Sequence, residues 1–463
     1  MHECKREACP ADREAVVIDD CLNQGSAGAV QSGGVQSRYR SSCSGGGPVP
    51  ARPLSKGSLG SHDVMCARRR LLRAPGQSYL KGTSSMKKKW LIALTTLGTV
   101  AGVAQAESTV TLYGVLDTNV EVTTNMKTPS GGSGTRYAMN GGGLSSSRWG
   151  LRGNEDLGGG LSGIFVLESG FSADDGKSLQ GGRLFGRQAF VGLQNASFGK
   201  VTFGRQYTSM LDALAPFSPA ALAVLYEPVI ALFGAAYRQD NTVKYTGTFG
   251  PLMVGAHWSF GIGPTFSSPG GVHISGSGEV PGQIRRDSGF GGQTTYRAGS
   301  FGATLSYDQV NPSITSNGAL LDIATSKKAA AAASYALGPI QIMGGYRWSK
   351  AVASGQTLVR DDLYWAGVSY EAARSLSLTL DYYYQAFHSS TTPALKPPGN
   401  PWQVTFIVDY NLSKRTDLYW TTVYAKNSGL CLDTASIGYA NGYQPGGARN
   451  SMLGAAVGLR HKF

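Results

Sequence analysis

Residues 450–463 alternate with a strict period of two and end on an aromatic carboxy-terminus. Ala455, Val457, Leu459, His461 and Phe463 fall on one face of a strand, and Ala456, Gly458, Arg460 and Lys462 on the other. An apolar face opposite a cationic one suits a strand with lipid on one side and water on the other. Alone, the same pattern also suits a half-buried strand of a soluble sandwich. The remainder of the chain decides between them.

Met86-Lys87-Lys88-Lys89 opens a positive segment, followed by an apolar run from Trp90 to Val103 and then Ala104-Gln105-Ala106. Charge, apolar run and A-x-A together read as a secretory signal peptide over 86–106, with cleavage expected between Ala106 and Glu107. The run is shorter than the roughly 20 apolar residues a transmembrane helix needs. No later stretch approaches that length, which excludes a helical membrane protein.

Residues 1–85 lack apolar periodicity and hold Cys4, Cys9, Cys21, Cys43 and Cys66. A zinc or disulfide module would need paired spacing such as CxxC, which is absent. The segment is expected to be an unstructured extension ahead of the true start at Met86. It also distorts the charge of +13. Residues 1–106 carry 15 Lys and Arg against 7 Asp and Glu, leaving 27 against 22 for residues 107–463. That balance removes the case for nucleic acid as a partner. The mature part keeps only Cys431, so its stability is expected to come from backbone hydrogen bonds, not disulfides.

From Glu107 onward the chain reads as alternating segments of about ten residues. Val110, Leu112 and Leu116 oppose Thr111, Tyr113, Asp117 and Asn119; Leu376, Leu378, Leu380, Tyr382 and Tyr384 oppose Ser377, Thr379, Asp381 and Gln385. Sixteen strands are predicted, near 109–122, 146–156, 161–172, 183–195, 200–208, 237–247, 251–261, 288–299, 301–310, 327–338, 340–351, 361–373, 376–388, 402–412, 416–427 and 450–463. Short turns such as Gly158-Gly159-Gly160 and Ser413-Lys414-Arg415 alternate with longer loops. Tight turns at one rim and long loops at the other mark an all-β transmembrane antiparallel barrel, with both termini on the short-turn side. Tyr113, Trp149, Trp258, Trp348, Trp365, Trp402 and Trp420 fall near strand ends, as interfacial girdles would.

The run Thr109-Val-Thr-Leu-Tyr-Gly-Val-Leu-Asp117, followed by Ser146-Ser-Arg-Trp-Gly-Leu-Arg-Gly-Asn-Glu-Asp-Leu-Gly-Gly-Gly160, resembles the trimeric general porins of Gram-negative outer membranes. Leu184-Phe-Gly-Arg-Gln-Ala-Phe-Val-Gly-Leu193, Val201-Thr-Phe-Gly-Arg205, Asp240-Asn-Thr-Val-Lys-Tyr245 and Gly458-Leu-Arg-His-Lys-Phe463 are similar to the same family. The resemblance spans nearly all of 107–463 and implies a 16-stranded barrel in the cell outer membrane. It further implies a homotrimer in contact with outer-membrane lipid and lipopolysaccharide, without a cofactor. Small hydrophilic solutes and ions would pass each monomer passively, past a long third loop folded into the pore. Phe463 would be the signal read by the assembly machinery. The acidic Pro-Glu-Phe-Gly-Gly sequence of enteric porins is absent, so enteric-style cation selectivity is not expected.

The third loop corresponds to 208–236. Leu211, Leu214, Phe217, Leu222, Leu225, Val229, Leu232 and Phe233 stand among few charges, and its acids are Asp212 and Glu227. Exposed, so apolar a loop would be an aggregation liability; tucked against the inner wall it is buried. Ion selectivity in such pores comes from charged rings at the narrowest point. Arg148 and Arg152 share a face of the second strand opposite Trp149 and Leu151, which directs them to the lumen. On lipid each would cost about 2–4 kcal/mol near the midplane. Arg183 and Arg187 from the fourth strand, Arg205 from the irregular fifth, and Arg238 and Lys244 from the sixth extend a cationic wall. Asp212 and Glu227 would face it from the loop, giving an anion-preferring constriction. Structural pairing of the arginines with Glu155, Asp156 and Glu168 is the competing reading.

An enzyme built on a barrel would need a nucleophile and a positioned base. His257, His273, His388 and His461 carry no such motif, and metal-ligand spacing is absent. An adhesin or a substrate-specific channel is the binding-class alternative.

Overall fold

The computed structural model describes residues 108–463, apart from 264–265, 269–271, 317–318 and 391–394; between 264 and 275 only backbone strand segments are described. The extension 1–85, the signal peptide, the Ala106/Glu107 junction and the His273 side chain lie outside the described residues.

Sixteen strands form the wall: β1 Thr109–Lys127, β2 Arg148–Gly158, β3 Leu161–Gly170, β4 Gln188–Asn195, β5 Gly199–Tyr207, β6 Arg238–Phe249, β7 Leu252–Ser259 and β8 Gly289–Ala298. They continue as β9 Phe301–Val310, β10 Thr325–Leu337, β11 Ile340–Ala353, β12 Gln356–Ala373, β13 Leu376–Ser390, β14 Trp402–Asn411, β15 Thr416–Lys426 and β16 Ser451–Lys462. Each pairs antiparallel with the next. β16 returns to β1 in the register Val115↔Lys462 to Thr123↔Gly454. Closure leaves no edge whose amide groups would face lipid unpaired.

The alternation in the sequence becomes an outside and an inside. Val110, Leu112, Val191, Leu305, Leu380 and Val457 are exposed on the outer face, while Asn119, Glu121, Thr202, Asp381, Gln403 and Thr421 are buried inside. Their places near strand ends suggest Tyr113 and Trp365 as girdle residues. Both instead point inward, because their strand parity sets them with Asp117 and Asp361. Tyr113 reaches Glu168 and Trp365 donates to the Phe217 carbonyl.

Three further expectations are corrected. β4 begins at Gln188, so Arg183 and Arg187 belong to the preceding loop, which Gly181 and Gly182 turn through left-handed backbone. A loop was expected between 351 and 361. β11 and β12 instead run on to a two-residue turn, Ser354-Gly355, with φ of 49° and 73°. Two positive φ values match the twist of a hairpin, which keeps the strands paired to their tips. The segment Ser133–Asn140 forms an additional strand paired with the upper half of β1, above the point where β2 ends.

The 208–236 loop folds inward as two short helices, α1 Ser209–Leu214 and α2 Val229–Phe233. Thr208 caps α1 by accepting from the Leu211 amide. Met210, Leu214, Phe217, Leu232 and Phe233 are buried with Leu363, Trp365, Val423 and Met452 from the wall. The last loop also turns inward, and Leu430, Cys431 and Leu432 join the same cluster.

Candidate functional site

The inward loop is fastened by its backbone to one side of the barrel. Arg347 of β11 donates to the Ala231 carbonyl at 2.6 Å, Trp365 of β12 to Phe217 at 3.0 Å, and Gln403 of β14 to Tyr226 at 2.6 Å. Tyr226 and Tyr443, from the two inward loops, both donate to Glu121 Oε1 of β1, at 3.0 and 2.9 Å. Short helices leave carbonyls unsatisfied, and polar side chains of the wall supply the missing donors.

Across the lumen, β2 to β6 and their loops carry the cations. Tyr113, Gly150 and Glu168 are adjacent in register across β1, β2 and β3. Glu168 accepts from Tyr113 at 3.0 Å and from Arg187 Nε at 2.8 Å, with Arg148 Nε 3.6 Å away. The Arg152 guanidinium lies 5.5 Å from the Tyr113 ring centre. Arg183 grips Asp240 with two hydrogen bonds, of 3.1 and 2.9 Å, and Arg205 adds a third at 2.6 Å. Arg238 lies between the Tyr207 and Tyr237 rings, 5.1 and 4.7 Å from their centres. Lys244 donates to the Tyr207 carbonyl at 2.8 Å and pairs with Asp212 of the inward loop.

All seven predicted cations are carried by β2, β5, β6 and the loop before β4, on the side of the barrel across from β11, β12 and β14, to which the loop is tied. Arg205 shares the parity of Val201 and Phe203, which are exposed outside, and its guanidinium is held by the Gly186 carbonyl at 2.6 Å as well as by Asp240. The register slips where Asp240 and Asn241 of β6 stand against Arg205 alone, a bulge with Asn241 at a φ of 48° that brings Asp240 to the arginine. Of the two acids expected at the constriction, Asp212 is partly exposed and paired with Lys244. Glu227 is 1% exposed and turned to the opposite wall, bonded to Ser218 and to Tyr383 at 2.7 Å. Burial raises its carboxyl above the ordinary range, and it holds its place by accepting hydrogen bonds from Ser218 and Tyr383.

Glu168 is the expected partner that forms pairs. Glu155 and Asp156 lie exposed near the short-turn end of β2. The sequence did not reveal Asp240, Tyr207 and Tyr237 as the groups that aim the arginines, nor the Arg347–Asp361 pair at 2.8 Å. His257 is buried beneath α1, where its Nδ1 lies 3.1 Å from the Ser209 amide nitrogen. Among the described residues no group of His, Cys, Asp or Glu is arranged to hold a metal.

A closed barrel, apolar outside and polar inside, narrowed by its own third loop, defines a membrane channel of the outer-membrane kind. Residues 93–430 match the Gram-negative porin family model. The chain is 32% identical over 415 residues to an outer membrane porin protein of Bordetella pertussis, covering 81% of this chain and 100% of that one. It is 31% identical over 390 residues to outer membrane porin protein 32 of Delftia acidovorans, again covering 81% and 100%. Among solved structures, an anion-selective porin from Comamonas acidovorans superposes with a TM-score of 0.60 at 28% identity, covering 77% of this chain and all of that one. This chain belongs to the Gram-negative porin family. It forms a channel in the outer membrane, and porins are channels rather than enzymes.

Proposed function

We propose that the protein is a homotrimeric general diffusion porin that prefers anions, matured by cleavage between Ala106 and Glu107. One observation carries the preference: seven cations cluster on β2, β5, β6 and the loop before β4, while the pairs described for them involve three carboxylates, Glu168, Asp240 and Asp212. Excess positive charge in a narrow, low-dielectric passage raises the local anion concentration and lowers the barrier to anion entry. Asp240 and Glu168 also hold the guanidinium groups in fixed positions, so the field is preorganised. Similarity to the anion-selective porin of Comamonas acidovorans supports the same sign. The trimer rests on the motifs at 109–117 and 146–160, which resemble trimeric general porins.

Bilayer conductance tests the general-diffusion reading. Conductance linear in salt, without block by any one solute, is expected; saturable block by one sugar or organic acid would mark a specific channel. Electrophoresis with and without heating reads the trimer, and mass spectrometry of the outer-membrane form reads the amino-terminus.

A further inference from the structure

On the outside of the barrel, at the long-loop rim, three cations stand in a row across three neighbouring strands. Lys327 of β10 lies directly opposite Lys350 of β11, and Lys350 directly opposite Arg360 of β12. Strand parity directs all three outward: Lys327 with the exposed Tyr335 and Leu337, Lys350 with Ile340 and Ile342, Arg360 with Tyr364 and Val368. Like charges directly opposite one another on a sheet face repel. Among the described residues, neither lysine has an ion pair. Arg360 donates to Asp362 at 2.7 and 3.1 Å and lies 5.3 Å from the Trp348 ring centre, which fixes its guanidinium beside the lysines. His388 of β13, half-exposed, extends the row with its Nε2 2.7 Å from Asp362.

Directly below the row, on the same outer face, Tyr346, Tyr364 and Tyr384 stand ring beside ring, with centres 5.1 and 6.3 Å apart. Aromatic residues on a barrel exterior mark the headgroup level of the bilayer, and long loops mark the outer leaflet. The cation row therefore sits among outer-leaflet headgroups, where repulsion between its members is relieved by anions.

We infer that Lys327, Lys350 and Arg360 form a docking site for the phosphate groups of an outer-leaflet glycolipid. This rests on the outer-membrane porin reading. Adjacent strands are about 4.8 Å apart, so one phosphate bridges two neighbouring cations of the row. The aromatic row beneath it offers an apolar surface to the acyl chains. The lipid would make a repulsive rim into a cross-strand tie over β10, β11 and β12.

The test compares wild type with the Lys327→Gln/Lys350→Gln double variant. Each is purified as the assembled porin and incubated with phosphorylated lipid A, dephosphorylated lipid A or inorganic phosphate, and bound lipid is read by native mass spectrometry. Wild type is expected to retain phosphorylated lipid A, and the double variant to bind it roughly thirtyfold more weakly, the loss expected for two basic side chains at an anionic lipid surface. Inorganic phosphate alone should not be retained. A Lys327→Arg/Lys350→Arg variant keeps the charge and should bind as wild type, which controls for folding. Conductance and ion preference should be equal in all forms, because the row lies outside the pore; a change there would count against the porin reading instead. Equal retention by wild type and the double variant would overturn the inference, as would retention of dephosphorylated lipid A at full strength. Dissociation of the oligomer in the double variant would also overturn it, since the row would then face a second copy of the chain.

Discussion

Arg347 is 2% exposed, and its guanidinium joins the inward loop to the wall: one hydrogen bond of 2.6 Å to the Ala231 carbonyl and an ion pair of 2.8 Å to Asp361. A charge so enclosed is costly without its partners, and the loop provides one of them. The width of the passage therefore depends on a residue that does not line it.

Arg347→Met should loosen the loop while leaving the barrel closed. Removing one member of a buried pair typically costs about 3–5 kcal/mol, here drawn from loop anchoring and from Asp361 left buried. Single-channel records should show added open-state noise and altered conductance, with heat-stable assembly retained. A quiet channel of wild-type conductance would refute the anchoring role.

Glu227 gives a pH dependence of defined sign. Its carboxyl is raised in the folded loop by burial. Its stabilising contribution is therefore complete below the ordinary carboxyl range and is lost as pH rises through the raised folded value. Alkaline conditions should destabilise the inward loop, seen as more frequent closures, and Glu227→Gln should remove that dependence. Because the group is buried against Tyr383, away from the cationic wall, the same substitution should leave ion preference unchanged.

The carboxy-terminus closes the barrel. Phe463 and Gly114 exchange backbone hydrogen bonds of 3.0 Å in both directions, and a Cβ on Gly114 would come within 2.3 Å of the Phe463 ring. Deletion of Phe463 should impair assembly more than conductance, and Gly114→Val should reproduce the defect by displacing the ring. Normal yields of heat-modifiable oligomer from both variants would contradict this.

The strands were legible because lipid on one side and water on the other impose a period of two along every strand of the wall. Leu380 against Asp381 and Val457 against Ala456 needed nothing beyond parity. The meeting of Asp240 with Arg205 depends on a bulge at Asp240 and Asn241, and a bulge leaves little trace in sequence. Loops carry no period, so the positions of Arg183 and Arg187 and the inward turn of Leu430-Cys431-Leu432 were hidden. Three apolar residues in a polar loop were the one available hint of the latter. Glu227 was misjudged because composition gives a loop's charge but not the wall it faces.

Each of Arg148, Arg187 and Arg238 changed to Ser should lower the anion preference without unfolding the barrel. A unit charge acting over ~8 Å of water is worth about 0.5 kcal/mol, or roughly twofold in relative permeability. The effect should shrink as salt rises, since the Debye length falls from about 10 Å at 0.1 M to about 3 Å at 1 M.

The zero-current potential of the wild-type channel across a gradient of dilute potassium chloride tests the central claim most directly. An excess of lumen cations requires chloride to cross more readily than potassium, so the dilute side should become negative relative to the concentrated side. A dilute side that becomes positive would mean cation preference, and would contradict a selectivity set by Arg148, Arg187 and Arg238.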